Sequence, residues 1–231
     1  QLALLDNFGR YDFPPLFRFP LGYVEGSARL TVLTADGASA EAVSAQPSTD
    51  GMTFVFDLPA SSAALLTYAA DVQPTAAPRA GSAIRNTATL SLPGALTAST
   101  TLPVADYVDL RLSKSLCAAD DCRTGASVGG ALRYVLTVSN YGNAAMSAED
   151  TATVSDTLQP LLTNVTVLGG GARWTEGTQY TYDASTGQLN TLPGAFTLGA
   201  ATFEQTRLGQ WVATPTAFSI VICGTPTSGA Q

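Results

Sequence analysis

The sequence predicts an all-β chain of sandwich architecture, and three observations carry that prediction. Short segments rich in Val, Thr, Tyr and Phe alternate apolar with polar residues, the period of a strand with one buried and one wet face. Between them lie TADGAS, QPSTDG, NYGN, LGGG and ASTG, where Gly and Asn supply positive φ and Asp and Ser supply local backbone hydrogen bonds. No segment sustains a capped helical period of about 3.6 residues.

In chain order the strands are expected at SARLTVLT (27–34), MTFVFDL (52–58), ALLTYAADV (64–72), NTATLSL (86–92), VDLRLSKSL (108–116), LRYVLTVSN (132–140) and FSIVIC (218–223). Their length and spacing are those of sandwich strands. One shift in composition reads as a boundary, the Thr/Ser/Ala stretch PGALTASTTLPVAD at 93–106. It predicts a first module over 1–98, a short linker over 99–106 and a second module over 107–231. With neither a Gly-Ser run nor a charge block, the linker should be extended, as suits a stiff array.

Composition narrows the function classes. The chain of 231 residues can bury a core without staples. Charged residues make up only 13%, about half the usual share, so hydroxyls and backbone must wet the surface. The formal charge is −7, with no basic cluster, which leaves little to bind a nucleic acid. No apolar run approaches the roughly 20 residues of a membrane span. The chain opens on Gln1 rather than Met, as a processed or excised chain would.

There is no histidine, and Lys114 is the only lysine. The usual general base is therefore missing, and a Ser or Cys nucleophile lacks its ordinary partner. LGGG is followed by no Lys-Ser/Thr, so it is not a phosphate loop. The expectation is a protein without enzymatic turnover and without a cofactor.

Cys117, Cys122 and Cys223 do not have metal-site spacing. Cys117 and Cys122 bracket AADD and read either as a short-loop disulfide or as reduced thiols, and a bridge would imply an oxidising compartment. The acid pairs Asp6/Asp12, Asp120/Asp121 and Glu149/Asp150 could offer oxygens to Ca²⁺, but none has the D-x-D-x-D-G spacing, so exposed loop acids are the reading preferred. Trp174 and Trp211 read as core or interdomain plugs rather than sugar platforms. FPPLFRFPLGY, with Phe13, Pro14, Pro15, Phe17 and Phe19, is either an interaction patch or a cover for the first module.

A repeat is visible in the two halves. GSARL, STDGMTFVFDLPA and ALLTYAADV in the first match GGARW, STGQLNTLPGA and AFSIVIC in the second, in the same order. The copies are cut differently. DLRLSKSL and LRYVLTVSNYGN have no clear equivalent in residues 1–20, and IRNTATLSL has none after ICGTPTSGAQ.

DLRLSKSL, LRYVLTVSNYGN, VSDTLQPLLTNV, a Trp after a Gly run and IRNTATLSL together resemble the DUF11 repeat, an immunoglobulin-like module of prokaryotic cell-surface proteins. The resemblance covers roughly residues 20–225. It implies an extracellular stalk, adhesin segment, pilus-like fibre or surface-layer component made of two tandem immunoglobulin-like sandwiches, the first lacking opening strands and the second its closing strand. Partners would be copies of itself or a larger envelope protein. A ligand-binding module recognising glycan or protein is the alternative.

The strands also resemble fimbrial modules that close a Lys–Asn isopeptide bond with a carboxylate assisting. By position that resemblance assigns the amine to Lys114, the acid to Asp156 and the acceptor to Asn86, which lies in the other copy. Asn140 is a substitute acceptor, although in SNYG it stands where a turn residue is expected. The plainer readings are a solvent-facing Lys114, a strand-edge Asp156 and an Asn86 at a strand start bonded to its own backbone. Incomplete copies fit either a piece of a longer array or a subunit that shares strands with neighbours.

Overall fold

The computed structural model describes residues 1–118, 130–147 and 149–227. Among them every regular element is a β-strand and every strand pairing antiparallel. The chain divides into a unit of Gln1–Ala105 with Phe203–Val212 and a unit of Asp106–Thr202 with Ala213–Gln231.

The first unit runs β1 (Leu2–Asp6), β2 (Tyr11–Phe13), β3 (Leu16–Arg18), β4 (Leu21–Tyr23), β5 (Arg29–Thr34), β6 (Gly37–Ala42), β7 (Ala45–Ser48), β8 (Gly51–Phe56), β9 (Ala63–Thr67), β10 (Ala70–Val72), β11 (Ala83–Leu90) and β12 (Leu96–Pro103). One sheet has the order β12-β11-β1-β8-β7 and a second the order β6-β5-β9, with β10-β4 and β2-β3 as two-stranded ribbons. An aromatic core joins them: Phe8, Ala28 and Phe54 are buried, with Leu4, Tyr23, Leu66 and Tyr68 packed against them. Phe54 stacks on Tyr68 at 4.9 Å, an arrangement that adds to simple area burial.

The second unit begins with β13 (Leu110–Ala118), β14 (Leu132–Asn140), β15 (Ser155–Thr157), β16 (Leu162–Gly169), β17 (Ala172–Arg173), β18 (Tyr180–Asp183) and β19 (Gln188–Thr191). After the hairpin of β20 (Thr202–Gln205) and β21 (Trp211–Thr214) it ends in β22 (Thr216–Pro226). Its sheets are β13-β14-β22-β16-β17 and β15-β19-β18. The apolar alternation of LRYVLTVSN buries Leu132, Tyr134, Leu136 and Val138 on one face of β14. Ile220 and Ile222 from β22 and Leu189 from β19 meet them in one core.

The strand pairings align the two units. The pairs β5–β9 and β16–β22 correspond, and so do β1–β8–β7 and β15–β19–β18. Asp6 stands opposite Met52 as Asp156 stands opposite Leu189. Two residues on, Phe8 and Leu158 are both buried. The second unit adds β13 and β14 beside β22, whereas the first adds β11 and β12 beside β1.

Two details differ from the sequence reading. GSARL leads into β5 while GGARW turns from β16 into β17, so by pairing the counterpart of the Gly run is the turn at Gly37. The linker expected over 99–106 is largely strand, because β12 pairs with β11 from Leu96 to Pro103. Its Thr residues suit a strand whose side chains are exposed on both faces. Val104 continues the ladder to Ser82 O at 2.9 Å.

Candidate functional site: two aspartates with complementary partners

Asp6 ends β1, and β11 runs along the free side of that strand with Asp6 opposite Ala88. This register brings Asn86 within reach. Asn86 Nδ2 donates to Asp6 Oδ2 at 2.9 Å and Asn86 Oδ1 accepts from Gly9 N at 3.1 Å. Tyr68 Oη donates to the same Asp6 oxygen, and Phe8 N donates to Asp6 Oδ1 at 2.8 Å. The carboxylate is only 2% exposed, a burial tolerable because three donors converge on it. Burial first, then the hydrogen bond to Asp6 and its charge, push the Tyr68 phenol above its ordinary range.

Asp156 has the matching position in β15, but its partner is the lysine. Lys114 Nζ donates to Asp156 Oδ1 at 2.7 Å and lies 4.8 Å from the centre of the Tyr134 ring. The Lys114 side chain is 38% exposed and that of Asp156 15%. Asp156 Oδ2 is buried and accepts no hydrogen bond among the described residues. Burial, with Asp156 as the second cause, also raises the Tyr134 phenol.

Of the three residues assigned to an isopeptide, the structure therefore joins Lys114 to Asp156 in the second unit and holds Asn86 in the first, bonded to Gly9 and Asp6 instead of to its own backbone. Asp6, read from sequence as a loop acid, is instead the buried partner of Asn86. The signal was LLDNF, which matches VSDTL once the strands are aligned. Asn140 is fully buried and satisfied: its Oδ1 accepts from Asp109 N and Gly142 N, and its Nδ2 donates to Ala144 O and Gly199 O. It is the last residue of β14 rather than a turn residue, and its side chain holds the bend that follows.

The remaining sequence candidates fall into place around these sites. Trp174 packs on the second core, stacked on Phe218 at 6.0 Å. Trp211 belongs to the first unit, where the Arg79 guanidinium covers its ring at 4.6 Å and Trp211 N donates to Pro74 O at 3.2 Å. Pro14 and Pro15 are exposed at the tip of the β2–β3 hairpin, and Phe13 is covered by Arg18 at 5.3 Å. Phe17 and Phe19 meet edge to face at 5.6 Å and line, with Phe8, Tyr23 and Met52, a cavity of about 600 Å³. Cys122, Asp120 and Asp121 lie outside the described residues, as does the side chain of Cys117. Cys223 is a half-buried free thiol. Among the described residues no group of three metal-ligating side chains forms, and no helix is long and apolar enough to cross a membrane.

Comparison with family models gives no match to this chain. Comparison with curated proteins gives no significant relative.

Proposed function

We propose that this chain is a non-enzymatic structural component of the prokaryotic cell envelope, a surface layer, pilus-like fibre or adhesin stalk built from DUF11-type immunoglobulin-like modules. It works outside the cell, without a cofactor, and assembles by strand sharing or module stacking with copies of itself or with a larger envelope protein. The observation that carries this reading is the complementarity of the two units. One has a closing strand with an asparagine on its aspartate, and the other has a lysine strand on the equivalent aspartate. A sheet left open in this way is a template for strand addition, and head-to-tail addition propagates into a filament.

The test is the location and assembly of the native protein. Antibody against the chain should label intact cells, and the material released from them should contain fibres or sheets by electron microscopy. Labelling confined to lysed cells would overturn the reading. If an asparagine strand becomes covalently joined to Lys114, the product survives denaturing, reducing electrophoresis and its mass is short by one ammonia.

A second reading, a module that binds glycan or protein, draws on the cavity lined by Phe17, Phe19 and Tyr23. Aromatic faces in a concave apolar site are suited to sugar rings or proline-rich segments. A monomeric chain that is retained on a glycan array would favour it.

A further inference from the structure

In the sheet β15-β19-β18 the strand β15 pairs only with β19 among the described residues, so one of its edges is open. Its counterpart β1 has that edge filled by β11. A strand added beside β15 would also lie over the inward face of β13. That face carries Leu112, Lys114 and Leu116, whose cross-strand neighbours in β14 are Val138, Leu136 and Tyr134, all buried. Yet Leu112 is 54% exposed and Leu116 52%. Apolar side chains on the core face of a sheet are uncovered only where the opposite layer stops short.

The polar chemistry of the gap is equally specific. Asp6 Oδ2 accepts the amide of Asn86, whereas the equivalent carboxylate of Asp156 keeps Oδ2 buried and unpartnered. A buried acceptor without a donor is costly, and a donor that arrives with a docking strand recovers that cost. Lys114 holds the other oxygen of that carboxylate, Oδ1, at 2.7 Å.

We infer that the edge of β15 and the uncovered leucines of β13 form an acceptor groove for one extended strand that the described residues do not supply. That strand has the pattern of this chain's own β11: an inward asparagine for Asp156 Oδ2, with apolar residues two positions to either side for Leu112 and Leu116. Ile84, Asn86 and Ala88 show this pattern in the first unit. The β11 of a second copy is not the occupant, since it is paired on both edges, by β1 and β12. The inference rests on the structural reading above and names the site and chemistry of its strand exchange.

The experiment uses the whole chain and a synthetic peptide of residues 83–92, AIRNTATLSL. The peptide should bind one to one and slow hydrogen exchange over 110–116 and 155–157. A peptide with Asp in place of Asn loses the donor and brings a like charge, and should bind at least about tenfold more weakly. The chain variant Leu112→Glu/Leu116→Glu, altered only at exposed positions, should lose binding while both units unfold as in the parent. No binding, equal binding of the Asp peptide, or protection confined to the first unit would overturn the inference. So would peptide-independent self-association that protects the same residues, because the occupant would then be a second copy. Failure of the peptide with surface labelling intact would sink this groove alone. Absence from the cell surface would instead sink the structural reading and leave the peptide result standing.

Discussion

The substitution Asn86→Asp changes one group of nearly the same shape and places a second carboxyl against Asp6, where Asn86 Nδ2 now sits 2.9 Å from Oδ2. If both acids were charged, their repulsion at that distance would be about 6 kcal/mol at an effective dielectric constant near 20. The molecule has a cheaper option, which is to keep one proton between the pair, as coupled carboxylates do. Holding a proton at pH 7 on a group with an unfolded pKa of about 3.9 costs about 4 kcal/mol, so that sum is the ceiling. The folded pKa of the pair is raised, so the folded state binds more protons than the unfolded one. Stability is then fully present below about pH 4 and is lost as pH rises, by about 1.4 kcal/mol per unit, until the pair ionises. In the protonated form the new carboxyl donates to Asp6 much as the amide did, and little is lost.

The assay is urea unfolding across pH, followed by the fluorescence of Trp211. The background variant Trp174→Phe removes the other tryptophan, so the signal reports the first unit alone. The expected result is a loss of about 3–4 kcal/mol at pH 7 that shrinks to under about 1 kcal/mol near pH 4. The companion Asn86→Ala should cost about 1–3 kcal/mol with no such slope. A loss for Asn86→Asp that does not vary with pH, or no loss at all, would refute the buried pairing of Asn86 with Asp6.

Three further outcomes are expected. Because the Tyr68 phenol is raised mainly by burial and then by Asp6, the stability it contributes is complete below pH 10 and declines above it. Alkaline unfolding of Tyr68→Phe should be correspondingly flatter, by less than about 1.4 kcal/mol per unit, since this half-buried group is screened. A Cβ at Gly169 would lie 2.0 Å from the Trp174 indole, so Gly169→Ala should displace that ring from Phe218, shift its emission to the red and cost the second unit about 1–3 kcal/mol. Lys114→Met removes the 2.7 Å partner of Asp156 and leaves both its oxygens unpaired, so chemical denaturation of the second unit should show a loss of about 1–3 kcal/mol.

The all-β class was legible because β14 and β22 write their burial directly into alternating residues, as in LRYVLTVSN. Where burial does not alternate, the signal disappears. The strand β12 has no buried face to declare, so TASTT reads as a tether although it is held by eight residue pairs with β11. Asp6 was obscured for the opposite reason. An acid at the end of the apolar run LALL looks like the start of a loop, and its burial depends on Asn86, 80 residues away. The contact of Lys114 with Asp156 spans 42 residues; no spacing rule reaches that far, and only the resemblance of ordered strands pointed to it. Asn140, expected in a turn, is instead the last residue of β14, and that it lies in the core follows from Ala144 and Gly199, which accept from its amide.

The strand β12 also bears on how the chain would respond to tension. Its side chains are exposed along its whole length, so the ladder to β11 is what retains it. A pull applied beyond Pro103, which lies opposite Ala83, loads the end of that ladder and opens it pair by pair, each step giving up backbone hydrogen bonds worth about 1 kcal/mol apiece. Each freed residue adds up to about 3.4 Å of contour, and the bonds re-form when the load falls. The hairpin from Phe203 to Val212, which belongs to the first unit while its flanks belong to the second, is a further tether that would have to release before β12 could lengthen fully.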